Sequence, residues 1–199
     1  MKRTPVLIVG GGPVGLSMAI LLQRFGIDFV LVERNAGTTD HPKARGAWQR
    51  TMEIFRQWGL EERMRSHGLP DGADFFAFVD SMTGHEYGRT LPEANLGQSP
   101  AWKCILSQDA VEEELLAHAR RGATGLILHR TEFVRYEQAD DAVAVTVRDL
   151  AASIKDTRYA EQKLRLQASG LGLAQGLSPK VALDAVILQS SSGCCGDRD

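Results

Sequence analysis

The chain begins with an unbroken apolar run, Pro5-Val-Leu-Ile-Val9. A run without polar alternation is the pattern of a strand covered on both faces, as in a parallel sheet. Gly10-Gly-Gly-Pro13 ends the run, and the apolar period then changes. Over residues 14–25, Gly15, Met18, Ala19 and Leu22 recur three to four apart, which predicts a helix. Pro13 stands where the first turn of a helix accepts proline, and Gly26 stands where a helix C-terminus favours glycine. A second apolar run over residues 28–32 closes on Glu33. Together these make one βαβ unit of about 30 residues, with a right-handed crossover if the strands are parallel.

Downstream the pattern is less uniform. A polar loop over 34–46 leads to a predicted helix over 47–58, where Trp48, Met52, Phe55 and Trp58 fall four, three and three apart. Gly59 caps it, and a short helix follows over 60–67. Residues 73–89 read as a hairpin, with Phe76, Phe78 and Val79 ahead of a turn at Met82-Thr83-Gly84. Residues 91–103 are loop-like. Ser107 is an N-cap candidate for a helix over 111–121. A strand is predicted over 125–129, then a second hairpin, 133–138 and 142–149, around Ala139-Asp140-Asp141. After about residue 150 the signal fades. Residues 150–166 fit helix or coil, 170–176 are rich in Gly and Leu, 181–188 suit one more strand, and 190–199 form a polar end expected to be disordered. The expected class is α/β: a Rossmann-like βαβ domain with inserted β-hairpins.

Met1-Lys2-Arg3 precedes 18 uncharged residues, 5–22, a length that reaches the threshold for a membrane-spanning helix and imitates a signal peptide. The Gly-Gly-Gly-Pro break and the second β-rich run argue instead for strand, turn and helix. No membrane partner is expected. A net charge of -2 gives no general attraction to nucleic acid. At 43% hydrophobic and 24% charged, the composition excludes wholesale disorder. All but one of the aromatic residues lie at or before Tyr136, so the dense core is expected there. Cys104 and the adjacent pair Cys194 and Cys195 make neither a disulfide framework nor a CxxC zinc site, and the pair reads as incidental. A reducing, cytoplasmic setting is the expectation. His41, His67, His85, His118 and His129 show no paired-ligand spacing, so each reads as a surface or satisfied histidine and no metal is expected. No nucleophile–base set stands out, and no catalytic residue is assigned.

Candidate chemistry lies in the first turn. Gly10-x-Gly12-x-x-Gly15 sits between a strand and a helix, the context that gives this pattern meaning. Gly10 allows the sharp turn, Gly12 leaves room for a pyrophosphate, and Gly15 lets helix and strand approach. The helix start, with Pro13 at its first position, presents free N–H groups and a dipole to the phosphates. Glu33, 18 residues after Gly15, is placed to accept hydrogen bonds from an adenosine ribose. An ADP-containing dinucleotide follows. The geometry does not separate FAD from NAD, while Glu33 disfavours the 2′-phosphate of NADP.

The stretches Val6-Leu-Ile-Val-Gly-Gly-Gly-Pro-Val-Gly-Leu16, Leu31-Val-Glu-Arg34 and His41-Pro-Lys-Ala-Arg-Gly46 resemble the N-terminal part of the FAD-dependent aromatic hydroxylases, the single-component flavoprotein monooxygenases that include phenol and polyketide hydroxylases. Arg50-Thr-Met-Glu-Ile-Phe55 before Trp58-Gly-Leu60, and Leu106-Ser-Gln108 followed by Glu112 to Leu116, are similar to further segments of that family. By this resemblance Gly10, Gly12, Pro13 and Gly15 hold the FAD pyrophosphate and Glu33 the ribose. Arg34 lies beside the adenine, Lys43 or Arg45 reaches the phosphates or ribityl chain, and Gln108 bonds the cofactor near its ribityl chain. NAD(P)H is implied as transient reductant and a small aromatic molecule as substrate.

The resemblance runs from residue 5 to about 149. The family's Gly-Ala/Cys-Asp-Gly strand end and its Gly-Asp-Ala turn are not found in the 199 residues. Residues 1–149 are therefore expected to form the FAD-binding domain with part of the substrate-domain sheet, incomplete relative to the family. Residues 150–199 are expected to be a divergent, poorly ordered tail left by a truncation or frame change. A complementing chain or a homo-oligomer is then implied. The leading function is an FAD-binding, NAD(P)H-dependent aromatic monooxygenase, probed against a non-catalytic dinucleotide-binding module and an NAD-dependent Rossmann reductase.

Overall fold

The computed structural model describes residues 4–40, 44–70, 73, 75–90, 97–138 and 143–150, with the backbone of 166–168 and 186–189. Their order is β1 (Val6–Val9), α1 (Pro13–Arg24), β2 (Phe29–Val32), β3 (Arg45–Ala47), α2 (Gln49–Gln57), α3 (Glu61–Ser66), β4 (Ala77–Val79), β5 (Glu86–Arg89), β6 (Cys104–Ser107), α4 (Gln108–Ala119), β7 (Gly125–Leu128), β8 (Thr131–Gln138), β9 (Val143–Asp149), β10 (Leu166–Ala168) and β11 (Val186–Gln189). The chain divides into two units, Met1–Thr39 with Leu115–Asp199, and Asp40–Glu114.

In the first unit the βαβ expectation holds. β1, β2 and β7 are parallel neighbours, with Val6 opposite Phe29 and Val32 opposite Leu128. β11 joins the free edge of β1 antiparallel, giving the order β11-β1-β2-β7. β8, β9 and β10 form an antiparallel sheet. The unbroken apolar runs of β1 and β2 are explained by cover on both faces. Leu7, Val30 and Val32 pack against Val143, Val145 and Val147, every second residue of β9. Toward the helix side, Val6, Ile8 and Leu31 are buried, as are Leu16, Ala19 and Ile20 of α1. At the start of β7 the Phe29 ring lies where a Gly125 side chain would stand, so only glycine fits there.

In the second unit Met52, Phe55, Trp58, Leu60, Met64, Ala101, Cys104 and Leu106 are all buried. β3 pairs with β6 antiparallel, Arg45 opposite Ser107 and Ala47 opposite Cys104. The expected hairpin forms as β4 and β5, with Phe76, Phe78 and Tyr87 exposed. Three short strands, β3, β6 and β10, were not anticipated by the sequence pattern. Ser107 ends β6 directly before α4, which starts at Gln108. A hydrogen bond from Ser107 is the main cause that holds the Asp109 carboxyl below its ordinary pKa. The turn at Ala139-Asp140-Asp141, Cys194, Cys195, His41, and the expectations for 151–165, 170–176 and 190–199 lie outside the described residues.

Cys104 is buried against Gly68, where an added Cβ would lie 2.6 Å from its Sγ. Burial raises its thiol pKa, opposed by the charge of Arg65. Because the thiolate is the reactive species, Cys104 should react with iodoacetamide about tenfold or more slowly in the native chain than in urea. Peptide mass spectrometry, which separates Cys104 from the C-terminal pair, measures this. Equal rates in both states would show that the second unit opens freely.

Candidate functional site

The turn between β1 and α1 is built on glycine geometry. Gly10 has φ 106°, and its N–H donates to the Val32 carbonyl at 2.9 Å, tying the turn to β2. An L side chain rarely adopts that φ. Gly12 precedes α1 with extended backbone and no side-chain cap, Pro13 takes the first helical position, and no acidic residue stands in the first turn. A Cβ at Gly15 would run into the carbonyl oxygen of Gly10, so the helix approaches the turn as closely as the backbone permits. The result is a 12-residue helix whose N-terminus carries partial positive charge and has no side chain to satisfy it. Such a cradle fits a pyrophosphate.

Glu33 lies at the mouth of this turn. Gly11 N–H donates to Glu33 Oε2 at 2.7 Å, and Asn35 N–H donates to Glu33 Oε1 at 2.7 Å. Glu33 N–H itself donates to the Leu128 carbonyl at 2.8 Å, which carries the β2–β7 ladder one residue further. An ionised carboxylate has about four acceptor positions. Two backbone donors leave capacity for a pair of ribose hydroxyls. Alongside, a cavity of about 410 Å³ is lined by Gly10, Glu33, Arg34, Asn35, Thr131 and Phe133, among others. It sits at the C-terminal ends of β1 and β2, the place where open α/β sheets bind ligands. The fold brings together Gly10, Gly12, Pro13, Gly15, Glu33 and Arg34, the first-unit residues expected from the sequence to meet the cofactor.

Asn35 and Thr131, which line the same cavity, carried no signal in the sequence. Both nitrogens of the His129 ring are buried, with the Asn35 backbone beside them. Burial, then the charge of Arg120, holds its pKa below the ordinary imidazole value, against weaker opposition from Glu33 and the Asn35 backbone.

The remaining candidates belong to the second unit. Arg45 opens β3 with an exposed side chain, followed by Gly46 at φ 94°. Gln108 accepts from Ala44 N–H through Oε1 at 3.2 Å, donates its own N–H to the Ala44 carbonyl at 3.1 Å, and donates from Nε2 to Glu112 at 2.7 Å. Arg45 and Gln108 are therefore held together by the β3–β6 ribbon. Lys43 lies outside the described residues. Among the described residues no cluster of three or more His, Cys, Asp or Glu could hold a metal ion, and no helix is long and apolar enough to cross a membrane.

Comparison with known proteins gives the same picture. A family described as FAD binding domain matches residues 3–161. A presumptive polyketide hydroxylase of Streptomyces coelicolor is 39% identical, over 96% of this chain and 30% of its own length. Phenol 2-monooxygenase of a Pseudomonas species is 32% identical, over 92% of this chain and 30% of its own length. Among solved structures, the flavin-dependent monooxygenase PieE in complex with FAD and substrate superposes with a TM-score of 0.73 and 31% identity, covering 85% of this chain and 30% of that one. The chain spans about a third of the length of the curated relatives it matches. With a glycine turn, an uncapped helix start and a seated acidic residue already in place, the chain belongs to the FAD binding domain family of the flavoprotein hydroxylases, of which it matches an incomplete, N-terminal part.

Proposed function

We propose that this chain binds FAD through Gly10, Gly12, Pro13, Gly15, Glu33 and Arg34 of the first unit, with Arg45, Lys43 and Gln108 of the second serving the phosphates and ribityl chain. The observation that carries this reading is the Glu33 carboxylate held at 2.7 Å by Gly11 N–H, beside the uncapped start of α1. The helix N-terminus neutralises the pyrophosphate, and Glu33 orients the ribose. Residues 1–149 act as the FAD-binding domain, and 150–199 as a divergent continuation. The protein works in the cytoplasm.

The activity we infer is hydroxylation of a small aromatic compound at the expense of NAD(P)H, because the named relatives include phenol and polyketide hydroxylases. Bound FAD supplies the redox chemistry, accepting a hydride and passing electrons to O2. The contribution of this chain is to anchor and orient the cofactor. No side chain of the described site is assigned a proton-transfer role.

Titration of the purified full chain with FAD tests the reading. We expect a yellow complex with a band near ~450 nm, a property of the flavin itself, and NAD(P)H consumption that rises when a phenol is added. Retention of FAD without NAD(P)H consumption leaves a binding module only. A colourless chain that takes up no FAD overturns the proposal.

A further inference from the structure

The second unit carries an open strand edge that the FAD reading does not use. β4 and β5 form a sheet of two strands, and among the described residues no third strand joins it. A lone hairpin is marginally stable in water and gains from a further strand. Its two edges differ. Along β5 the register slips between Phe78 and Val79, which leaves Tyr87 as an extra residue, and Arg89 Nε donates to Glu86 at 2.7 Å. A bulge and charged side chains are the devices that keep an edge from pairing. β4 has neither. Ala77-Phe78-Val79 is uncharged and exposed along its whole length, and Phe76 beside it is exposed as well.

Hydrogen bonds within the hairpin fix which backbone groups point outward. Thr90 N–H donates to the Phe76 carbonyl at 2.8 Å, and Asp80 N–H donates to the His85 carbonyl at 3.2 Å. Residues 76, 78 and 80 therefore turn their backbone groups toward β5. Successive residues of a strand turn these groups to opposite edges, so the N–H and C=O of Ala77 and Val79 point away from the hairpin. They are spaced to pair with another antiparallel strand. The charges of the hairpin say which strand fits. Within it Arg89 lies opposite Ala77, and Glu86 lies opposite Val79.

We propose that the outer edge of β4 pairs antiparallel with the same edge of a second copy of this chain, about a two-fold axis at Phe78. Ala77 then bonds the partner's Val79, and Val79 bonds the partner's Ala77. Phe78 meets the partner's Phe78 at a non-hydrogen-bonded position, where side chains come closest and aromatic pairs stabilise. Each row across the four strands runs Arg89, Ala77, the partner's Val79, the partner's Glu86, with opposite charges at its two ends. Moving the axis to Ala77 would end that row on two arginines, and moving it to Val79 would end it on two glutamates. The charges therefore select this register of a self-complementary pair. Such a contact closes on itself and leaves only the protected β5 edges outside.

Sedimentation equilibrium of the full chain tests this. We expect a reversible dimer with Kd on the order of 10 μM, in keeping with a small interface. Phe78→Lys sets like charges face to face at the axis and should weaken the dimer about tenfold or more. Phe25→Lys, at an equally exposed phenylalanine of the first unit, should leave it unchanged. Under mild oxidation Phe78→Cys should bridge to its own counterpart about tenfold faster than Ala77→Cys, because facing residues of a non-hydrogen-bonded pair have Cα atoms about 4.5 Å apart. Peptide mass spectrometry separates that bridge from any made by Cys194 or Cys195. A chain that stays monomeric up to about 100 μM, well above that Kd, overturns the proposal. So does a dimer that survives Phe78→Lys, or an Ala77→Cys chain that cross-links as fast. A monomer that instead captures, through Phe78, the separately supplied remainder of the Streptomyces coelicolor relative assigns the edge to that partner and removes the second copy. No arm of the test depends on FAD uptake.

Discussion

Replacing Gly15 by alanine should destabilise the first unit by about 3 kcal/mol, roughly 10 °C in melting temperature, and abolish measurable FAD uptake. The sign is the informative part. In an unconstrained helix interior, alanine is more favourable than glycine by about 1 kcal/mol. Here the added Cβ would overlap the Gly10 carbonyl oxygen and press on Ile8, so α1 must move away from the turn. That movement takes the helix N-terminus from its cradle and pulls Gly10 N–H away from Val32, to which it donates at 2.9 Å. Gly37→Ala is the control, since nothing lies within 4 Å of a Cβ there. Circular dichroism melting and FAD titration on both variants check the prediction. A Gly15→Ala chain as stable as wild type, with FAD affinity kept, would show that the close approach is not required.

The βαβ core and its glycine turn were legible in the sequence because every local preference agreed. The apolar runs demanded cover on both faces, the glycines demanded a tight turn, and Glu33 ended the run at the position where a carboxylate is useful. β3 and β6 were not legible. Each has three or four residues and exists through pairing with the other, which brings Arg45 opposite Ser107 across more than sixty residues of chain. A strand near the C-terminal end was anticipated, yet its place beside β1 as an antiparallel edge is a long-range pairing that no local pattern encodes. His129 shows the same limit. Its residue type and neighbours in sequence say nothing unusual, and its lowered pKa comes from burial and then the charge of Arg120, which only the fold assembles. Gln108 was singled out by resemblance alone, and its clamp on Ala44 and Glu112 gives a structural reason for a glutamine at that position.

Glu33→Gln should weaken FAD binding about ten- to a hundredfold while leaving the ligand-free fold within about 1–2 kcal/mol of wild type. The carboxylate accepts from Gly11 N–H and Asn35 N–H at once, which leaves about two acceptor positions for the ribose of the proposed cofactor. An amide of the same shape keeps one acceptor oxygen and turns an NH2 toward either a backbone donor or the ribose hydroxyls. One of those hydrogen bonds is lost in every orientation, and the survivors lose the strength that ionic charge lends them. Probes that divide the cofactor separate the ribose role from a purely structural one. AMP and FAD both carry the ribose, so the substitution should weaken both. Inorganic pyrophosphate engages only the start of α1 and should bind the variant as it binds wild type. If pyrophosphate weakens in parallel with AMP, Glu33 acts by holding the Gly11 turn in shape. If none of the three weakens, neither the turn nor the ribose depends on that carboxylate, and the assignment of Glu33 to the cofactor falls.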